Sequence, residues 1–230
     1  MNPTLGARLQ MTAQLIPPGS RAADIGTDHA YLPAFLIANG LVKSMIAADI
    51  GAGPLQNAAQ TLAQYNLTDR IALRQSDGLV GFAPGETDCL IFAGMGGTLI
   101  AHLLTRAPWV NAPGMRIVAQ PMRRAEDLRA WLLTNAWHIE TETACYEDGR
   151  AYAALRAVFA PVRKPSAQEQ AIGYAYYGAL PLCSHPAARD VLTQTRRWLA
   201  NKTAALTVAH KDRAEQVRYH AILADLEEQL

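Results

Sequence analysis

Short apolar runs alternate with longer stretches, in which apolar residues recur every three or four positions, over the first two thirds of the chain. The short runs are typical of buried strands, and the longer stretches are typical of amphipathic helices. The predicted strands are residues 20–23, 44–49, 71–74, 88–93 and 115–119. The predicted helices between and after them are residues 30–39, 54–65, 98–105 and 125–135. This alternation predicts an α/β fold with a mainly parallel sheet.

The pattern changes after the last of these helices. Residues 137–146 and 151–159 are two further strand candidates, and Asp148-Gly149 lies between them. An Asp-Gly pair between two apolar strands is a strong signal for a hairpin. A parallel sheet that ends in an antiparallel hairpin is typical of class I methyltransferases, and it argues against the all-parallel sheet of a dehydrogenase.

The C-terminal part has a helical pattern that follows a proline-flanked connector at residues 161–165. Leu192, Leu199 and Leu206 repeat every seven residues, which is typical of helices that pack along one seam. We predict two helices, joined near His210-Lys211-Asp212, that form a short antiparallel pair like a coiled coil. The second helix offers the apolar residues Val217, Ile222, Leu223, Leu226 and Leu230. The chain is therefore predicted to divide into residues 1–160 and residues 161–230.

Composition narrows the class of protein. The chain has 230 residues and a formal net charge of +1, which argues against a strongly basic protein that wraps nucleic acid but allows a local basic face. Its three cysteines lie far apart and form no C-x-x-C pair, so we expect neither a metal site nor a disulfide framework. Apolar stretches fall short of the roughly 18 residues of a spanning helix. We expect a cytoplasmic protein without a membrane partner.

The sequence DIGTDHAYLP, from Asp24 to Pro33, follows the first predicted strand. A strand that ends on a carboxylate, breaks at a glycine and restarts as a helix is typical of a nucleoside cofactor site. Only Gly26 is present of the three glycines that bind a pyrophosphate, and Asp28 takes the place of the second. An acidic residue there repels a pyrophosphate but accepts hydrogen bonds from a cationic amino-acid moiety. S-adenosylmethionine has such a moiety and is the expected cofactor; an ordinary strand-to-helix turn is the alternative.

Carboxylates follow three successive predicted strands, at Asp24, Asp49 and Asp77. All three are expected at the edge where an open α/β sheet binds ligands. Asp49 has the spacing of an acid that binds ribose hydroxyls, and Asp77-Gly78 is expected beside the adenine, where the carboxylate accepts from the exocyclic amino group. Any one of them alone is as well explained as a helix cap.

The turn Gly94-Met95-Gly96-Gly97 follows the fourth predicted strand. Methyltransferases of exocyclic amines carry an Asn/Asp-Pro-Pro-aromatic stretch at this point, so its absence favours a ring nitrogen as the methyl acceptor. The glycines would let a substrate ring approach the backbone; a merely tight turn is the alternative.

A base inside folded RNA must be turned out of its stack and held between flat surfaces. We predict that His29, Tyr31 and Gln120 form that pocket and are the catalytic residues. For Tyr31, packing on the sheet is the alternative, and His29 could equally be a capping or core residue.

These motifs, with Gln120-Pro121 and Glu147-Asp148-Gly149-Arg150, resemble those of the TrmK family of bacterial tRNA (adenine-22-N1)-methyltransferases. The resemblance covers about residues 5–159. It implies a Rossmann-like class I methyltransferase domain with a seven-stranded sheet and a small C-terminal helical domain that binds tRNA. It also implies transfer from S-adenosylmethionine to N1 of adenine 22 in the tRNA D-loop. Met122 departs from the family pattern, which has asparagine after Gln-Pro.

Two other functions stay open at this point: a methyltransferase of small molecules or proteins, and an S-adenosylmethionine-binding module that recognises RNA without modifying it. Oligomeric state is not specified by any motif, and a monomer is our expectation. The predicted cofactor-binding residues are Asp24, Gly26, Asp28, His29, Asp49, Asp77, Gly78, Gly94 and Met95. The basic face predicted to bind tRNA phosphates comprises Arg189, Arg196, Arg197, Lys202, Lys211, Arg213 and Arg218, although a solvated helix surface explains them nearly as well.

Overall fold

The computed structural model describes residues 3–208 and 213–230 and contains one seven-stranded sheet within them. The strands are β1 (Arg21–Ile25), β2 (Ser44–Asp49), β3 (Ala72–Gln75), β4 (Cys89–Ala93), β5 (Arg116–Gln120), β6 (Trp137–Glu147) and β7 (Arg150–Phe159). Their order is β3-β2-β1-β4-β5-β7-β6. Neighbours among β1 to β5 pair parallel, and β7 runs antiparallel to both β5 and β6. The predicted fold class is confirmed.

Helices cover both faces of the sheet. They are α1 (Ala7–Leu15), α2 (Tyr31–Ala38), α3 (Ala52–Gln64), α4 (Gly97–Thr105), α5 (Ala125–Thr134), α6 (Tyr174–Tyr177), α7 (Pro186–Val208) and α8 (Arg213–Glu228). Short 3-10 turns occur at Pro108–Val110 and Leu180–Leu182. The α1 and α6 helices were not predicted from the sequence.

Successive apolar residues of the central strands β1 and β4 belong to different cores, because side chains alternate across a sheet. Ala23 and Leu90 pack with α4, α5 and the C-terminal helices, whereas Ala22 and Ile91 pack with α1, α2 and α3. Strands buried on both faces have no polar side to face water, which explains their uninterrupted apolar sequences.

The β6–β7 hairpin has the predicted Asp-Gly turn. Asp148 and Gly149 both have positive φ, at 49° and 72°, as the two-residue turn between twisted strands requires. Glu147 pairs with Arg150 across the turn, and an irregularity between Ile139 and Thr141 interrupts the ladder. The hairpin is therefore specified locally, by the turn residues themselves.

The C-terminal helices α7 and α8 pack as an antiparallel pair. Arg196 binds Glu227, and Lys202, six residues further along α7, contacts Glu215, which comes earlier in α8. The three heptad leucines of α7 are buried, as predicted, whereas the predicted apolar residue Val217 is 62% exposed and Leu230 is 38% exposed. The predicted junction at His210-Lys211-Asp212 lies outside the described residues.

The boundary predicted near residue 160 is crossed by one continuous hydrophobic cluster. Phe92 of β4 and Leu128 of α5 share it with Tyr177, Leu199 and Leu226 of the C-terminal part. Two domains with this boundary therefore remain a prediction, and the C-terminal helices complete one face of the sheet. No helix within the described ranges is long and apolar enough to cross a membrane.

Candidate cofactor and base-binding site

The carboxyl ends of β1, β2, β4 and β5 meet at one edge of the sheet. β1 lies between β2 and β4, and β4 lies between β1 and β5. The turns that follow these strands are consequently neighbours in space. The predicted site residues lie on these turns or the adjoining strand ends, except for Tyr31, which begins α2, and the two residues after β3. β3 extends the same edge beyond β2.

The turn after β1 is held by its backbone. Gly26 has φ +82°, a conformation that favours glycine, and a Cβ at this position would lie 3.3 Å from the Met95 sulfur. The N–H groups of Gly26 and Thr27 both donate to the Ala48 carbonyl, at 2.8 and 2.9 Å. The first turn is therefore bonded to β2, and Met95 from the turn after β4 lies against it.

Asp24 is a buried carboxyl at the base of this turn, with 6% of its surface exposed. Burial raises its pKa to about 6, nearby Asp49 adds to the rise, and the Thr27 hydroxyl partly offsets it. The Thr27 Oγ1 is itself buried and has no hydrogen bond of normal geometry within the described residues. A buried hydroxyl without a hydrogen bond of normal geometry, beside a carboxyl whose pKa is raised, is typical of a site that binds a polar ligand.

Asp49 serves as a cap and can also bind a ligand. One carboxylate oxygen, Oδ1, accepts a hydrogen bond from the Gly51 N–H at 2.7 Å and so shapes the start of α3. The side chain lies close enough to Asp24 to raise the pKa of that carboxyl. Its second oxygen remains available to a ligand, so the capping and ribose-binding interpretations are compatible.

The outer part of the first turn forms an exposed lip. The His29 and Tyr31 rings stack with centroids 5.4 Å apart, and His29 Nε2 lies 3.3 Å from Asp28 Oδ2. Tyr31 is 44% exposed, which does not fit the alternative that it packs on the sheet. The structure thus brings Asp28, His29 and Tyr31 together at the mouth of the site.

Asp77 lies two residues beyond β3 and is paired with a basic residue. Its Oδ2 accepts from Arg106 Nη1 at 3.1 Å, and both side chains are about half exposed. Gly78 has φ +59°, and an added Cβ would overlap Leu103. The predicted contact of Asp77 with an adenine amino group would use its other oxygen, Oδ1. No motif in the sequence indicated that Arg106 pairs with Asp77.

Gln120 is completely buried at the end of β5, and a residue that was not predicted fixes its orientation. Arg8 Nη1 donates to Gln120 Oε1 at 2.8 Å. The Gln120 amide nitrogen is thereby turned toward the Pro121 carbonyl and the Met122 sulfur, with long contacts of 3.4 and 3.6 Å. These long contacts leave the amide nitrogen weakly bonded, and the side chain has no exposed surface.

Arg8 is itself held by Glu147 of the hairpin. Glu147 accepts from the Arg8 backbone N–H at 3.0 Å and from Arg8 Nε at 3.4 Å. Arg8 Nη1 also lies 3.5 Å from the position of a Cβ added at Gly94. No periodicity or motif links the N-terminal helix to the ends of β4 and β5, so only the tertiary structure identifies this residue.

The turns after β4 and β5 are bonded to each other. Met122 N–H donates to the Met95 carbonyl at 2.8 Å, and Gly97 N–H donates to the Arg123 carbonyl at 2.9 Å. A Cβ on Gly97 would overlap the Arg124 carbonyl oxygen, so this glycine permits contact between two loops rather than approach of a substrate. Gly94, exposed and at φ +85°, is the glycine of this turn that remains open to a ligand.

The sheet order and the acidic turn at its ligand-binding edge define a class I methyltransferase fold. A sequence profile of the family described as "Methyltransferase domain" matches residues 5–155, so the chain belongs to this family.

Relatives agree with this classification. The chain is 39% identical over 153 residues to the tRNA (adenine(22)-N(1))-methyltransferase of Bacillus subtilis, a match that covers 66% of this chain and 64% of that protein. A putative tRNA methyltransferase of Mycoplasma pneumoniae is 32% identical over 64% of this chain and 65% of its own length. The matched region thus spans slightly less than two thirds of these curated relatives.

Solved structures match over nearly the whole chain. The Bacillus subtilis M1A22 tRNA methyltransferase TrmK superposes with a TM-score of 0.83 at 28% identity, covering 99% of both chains. Sp1610 of Streptococcus pneumoniae, a putative tRNA (m1A22) methyltransferase crystallised with S-adenosyl-L-methionine, gives a TM-score of 0.76 at 28% identity over 99% of this chain and all of that one. The similarity to the TrmK family predicted from the motifs is confirmed, and it includes the C-terminal helices.

Proposed function

We propose that this chain is an S-adenosylmethionine-dependent methyltransferase that modifies N1 of adenine 22 in the D-loop of tRNA. The observation that carries the proposal is the structural match to the Bacillus subtilis M1A22 enzyme over 99% of both chains, with the acidic one-glycine turn at the ligand-binding edge. A tRNA-modifying enzyme acts in the cytoplasm, and nothing in the proposed reaction requires more than a monomer.

The residues of the site fit the proposed cofactor. Asp24 and the neighbouring Thr27 hydroxyl offer buried acceptors for the cationic amino-acid part, and Gly26 provides backbone without a side chain. The second oxygen of Asp49 can accept from ribose hydroxyls, and Asp77 can accept from the adenine amino group. The acidic character of this set matches a sulfonium cofactor better than a pyrophosphate.

The proposed chemistry needs little acid–base assistance. When bound, S-adenosylmethionine supplies a methyl group activated by its sulfonium, and neutral adenine has a lone pair on N1. The protein therefore mainly has to position the base and offset the positive charge that the ring gains. Tyr31 and His29 provide a flat surface for the base, the Gln120 amide nitrogen provides a donor, and the Asp28 carboxylate lies beside them.

We assign tRNA binding to a surface that includes the C-terminal helices, with a smaller contribution from some of the predicted basic residues. Arg196 and Lys202 are partly neutralised by Glu227 and Glu215 of the neighbouring helix. Lys211 lies outside the described residues. The remaining members, Arg189, Arg197, Arg213 and Arg218, are exposed.

The test is methylation of unmodified bacterial tRNA by the purified full chain with labelled S-adenosylmethionine. We expect 1-methyladenosine in the D-loop fragment, identified by mass spectrometry of nucleosides and RNase fragments. The matched control is the same tRNA with cytosine at position 22, which should receive no label. Asp24→Asn should abolish labelling of the natural tRNA.

The alternative outcomes separate the other functions. Tight S-adenosylmethionine binding with no tRNA product and no tRNA retention would favour a small-molecule or protein substrate. Retention of tRNA without product at saturating cofactor would favour a non-catalytic binding module. Label at another nucleotide would support a tRNA methyltransferase but would show that adenine 22 is not the methylated position.

A further inference from the structure

A large cavity among the described residues lies beside the site rather than within it. This cleft, of about 680 Å³, separates the β6–β7 hairpin and the loop after β5 from helix α7. Its size is that of a pocket for a small organic ligand or a nucleotide, which is roughly 300 to 1,000 Å³. No predicted site residue lines it.

Two arginines of the cleft are available to an anion. Among the four arginines that line it, Arg124 is bonded to Asp127 and Arg129 is buried with Glu142. Arg123 and Arg150 are exposed and make no ion pair with any residue in the described ranges. They come from the loop after β5 and from the hairpin turn, so they present positive charge from two walls of the cleft.

The remaining wall offers aromatic rings. Trp198 of α7 is 40% exposed and stacks on Tyr176, with centroids 6.2 Å apart and planes at 24°. Both rings line the cleft, and Tyr152 of β7 lines it from the hairpin side. An exposed tryptophan that is supported from behind by a second ring is a platform on which a nucleobase can stack.

The cleft is joined to the site by backbone hydrogen bonds. Met122 and Arg123, which line the cleft, are bonded to Met95 and Gly97 of the turn after β4. Gln120 Nε2 also contacts the Met122 sulfur at 3.6 Å. The cleft and the place where the target base is proposed to bind are therefore neighbours, joined through the loop after β5.

We propose that this cleft is a second RNA-binding subsite, which holds a nucleotide adjoining the target adenosine. Its phosphates bind Arg123 and Arg150, and its base stacks on Trp198. An RNA strand combines anionic groups with flat bases at one-nucleotide intervals, which matches charge on two walls and rings on the third. The inference rests on the proposed function for the identity of the strand, and it assigns RNA contacts to residues outside the basic face predicted from the sequence.

The experiment measures tRNA affinity of the full chain in the presence of S-adenosylhomocysteine, so that no turnover is needed. The Arg123→Gln/Arg150→Gln variant is expected to bind tRNA 10- to 100-fold more weakly, because each phosphate contact contributes to counterion release. Its log K against log salt slope should become shallower by about 1.5. Trp198→Leu should weaken binding at least fivefold, and Trp198→Phe should retain most of it because a ring remains.

The matched control is Lys43→Gln, which removes one exposed charge directly before β2, at the edge of the sheet opposite to the cofactor site and outside the cleft. It should change affinity less than threefold, and every variant should bind S-adenosylmethionine as the parent does. If Trp198→Leu fails to fold, the arginine pair and Trp198→Phe still test the subsite.

The subsite and the proposed function can fail separately. If the parent retains tRNA but yields no methylated product, the proposed reaction is wrong and the variants still test the cleft. The cleft proposal is overturned if the arginine pair and Trp198→Leu bind tRNA like the parent, if Lys43→Gln loses as much as the pair, or if the parent binds no RNA.

Discussion

The ionisation of Asp24 connects the stability of the fold with ligand binding at the residue scale. Its pKa rises from the ordinary 3.8 to about 6, chiefly through burial, so the neutral form is favoured in the folded chain. Folded-state stability from this group is therefore intact below about pH 4 and is lost as pH rises through 6. The loss amounts to about 3 kcal/mol. Ionisation of Asp24 therefore lowers the stability of the fold, although the ionised form is the one expected to bind a cationic ligand.

We predict that S-adenosylmethionine affinity depends on pH through Asp24. The ionised carboxylate accepts from the cationic ligand, so affinity should rise about tenfold between pH 5 and pH 7.5, with a midpoint near 6. Isothermal titration calorimetry at each pH measures this. Asp24→Asn should lose most of the affinity for S-adenosylmethionine, together with its pH dependence. The same variant should unfold at a higher urea concentration than the parent at pH 8. A pH-independent affinity in the parent would contradict the assigned role.

Arg8 is predicted to act by positioning Gln120. Arg8→Gln frees the Gln120 amide to rotate, so kcat for tRNA methylation should fall about tenfold while S-adenosylmethionine affinity changes less than twofold. In a Gln120→Ala background, the same change should have little further effect. Arg21→Gln is the control, because Arg21 forms an exposed ion pair with Asp88 at the opposite edge of the sheet. Additive losses in the double variant would assign Arg8 an independent role.

At the scale of elements, the turns after β4 and β5 are in direct contact at Gly97. Gly97→Ala places a methyl group against the Arg124 carbonyl, and backbone cannot yield as a flexible side chain can. We expect a loss of about 1 to 3 kcal/mol in the free energy of unfolding and a larger proportional loss of kcat than of cofactor affinity. Urea denaturation and steady-state kinetics measure the two effects.

Gly53→Ala in α3 is the matched glycine control. A Cβ at this position meets no atom within 4 Å, and its φ is not positive. Helix propensity predicts unchanged or slightly increased stability. Equal stability of the two alanine variants would show that the loops can separate without cost.

The elements that could be predicted are those whose signal is local. Buried strands have continuous apolar sequences, and Asp148-Gly149 encodes its own turn, so sheet and hairpin followed from sequence alone. Asp24, Asp49 and Asp77 could be placed at one edge because parallel strands share their polarity.

The remaining features depend on contacts between distant parts of the chain. Arg8 reaches Gln120 across 112 residues of sequence, and the cleft exists only because α7 packs beside the hairpin. Val217 fits an apolar helical pattern yet is exposed, since the pattern does not specify how much of the α8 surface the rest of the chain covers. Such features have no periodicity to detect.

At the scale of the whole molecule, a buried ion pair attaches the C-terminal helices to the sheet. Arg129 Nε donates to Glu142 Oε1 at 2.8 Å, and the two side chains are 4% and 1% exposed. Arg129 also donates to the Ala175 and Tyr176 carbonyls, and Glu142 Oε2 accepts from the Ala179 N–H. The ion pair itself joins α5 to β6, and the three further bonds join these two elements to the C-terminal part.

We predict that Glu142→Gln destabilises the molecule as one unit. The change keeps the shape of the side chain but leaves the Arg129 charge buried without its counterion, which costs about 3 to 5 kcal/mol. Glu227→Gln removes the partner of Arg196 in an exposed pair and should cost less than about 1 kcal/mol. Urea unfolding followed by both far-UV circular dichroism and tryptophan fluorescence measures the two variants.

Cooperativity distinguishes a shared core from two domains that merely touch. Tyr177, Leu199 and Leu226 belong to the same hydrophobic cluster as the sheet, so the two optical signals should change together in the parent and in both variants. If Glu142→Gln instead separates them into two transitions, with cofactor binding retained after the first, the C-terminal helices unfold independently. The boundary near residue 160 would then be a true domain boundary, and the cleft beside α7 would open without loss of the cofactor site.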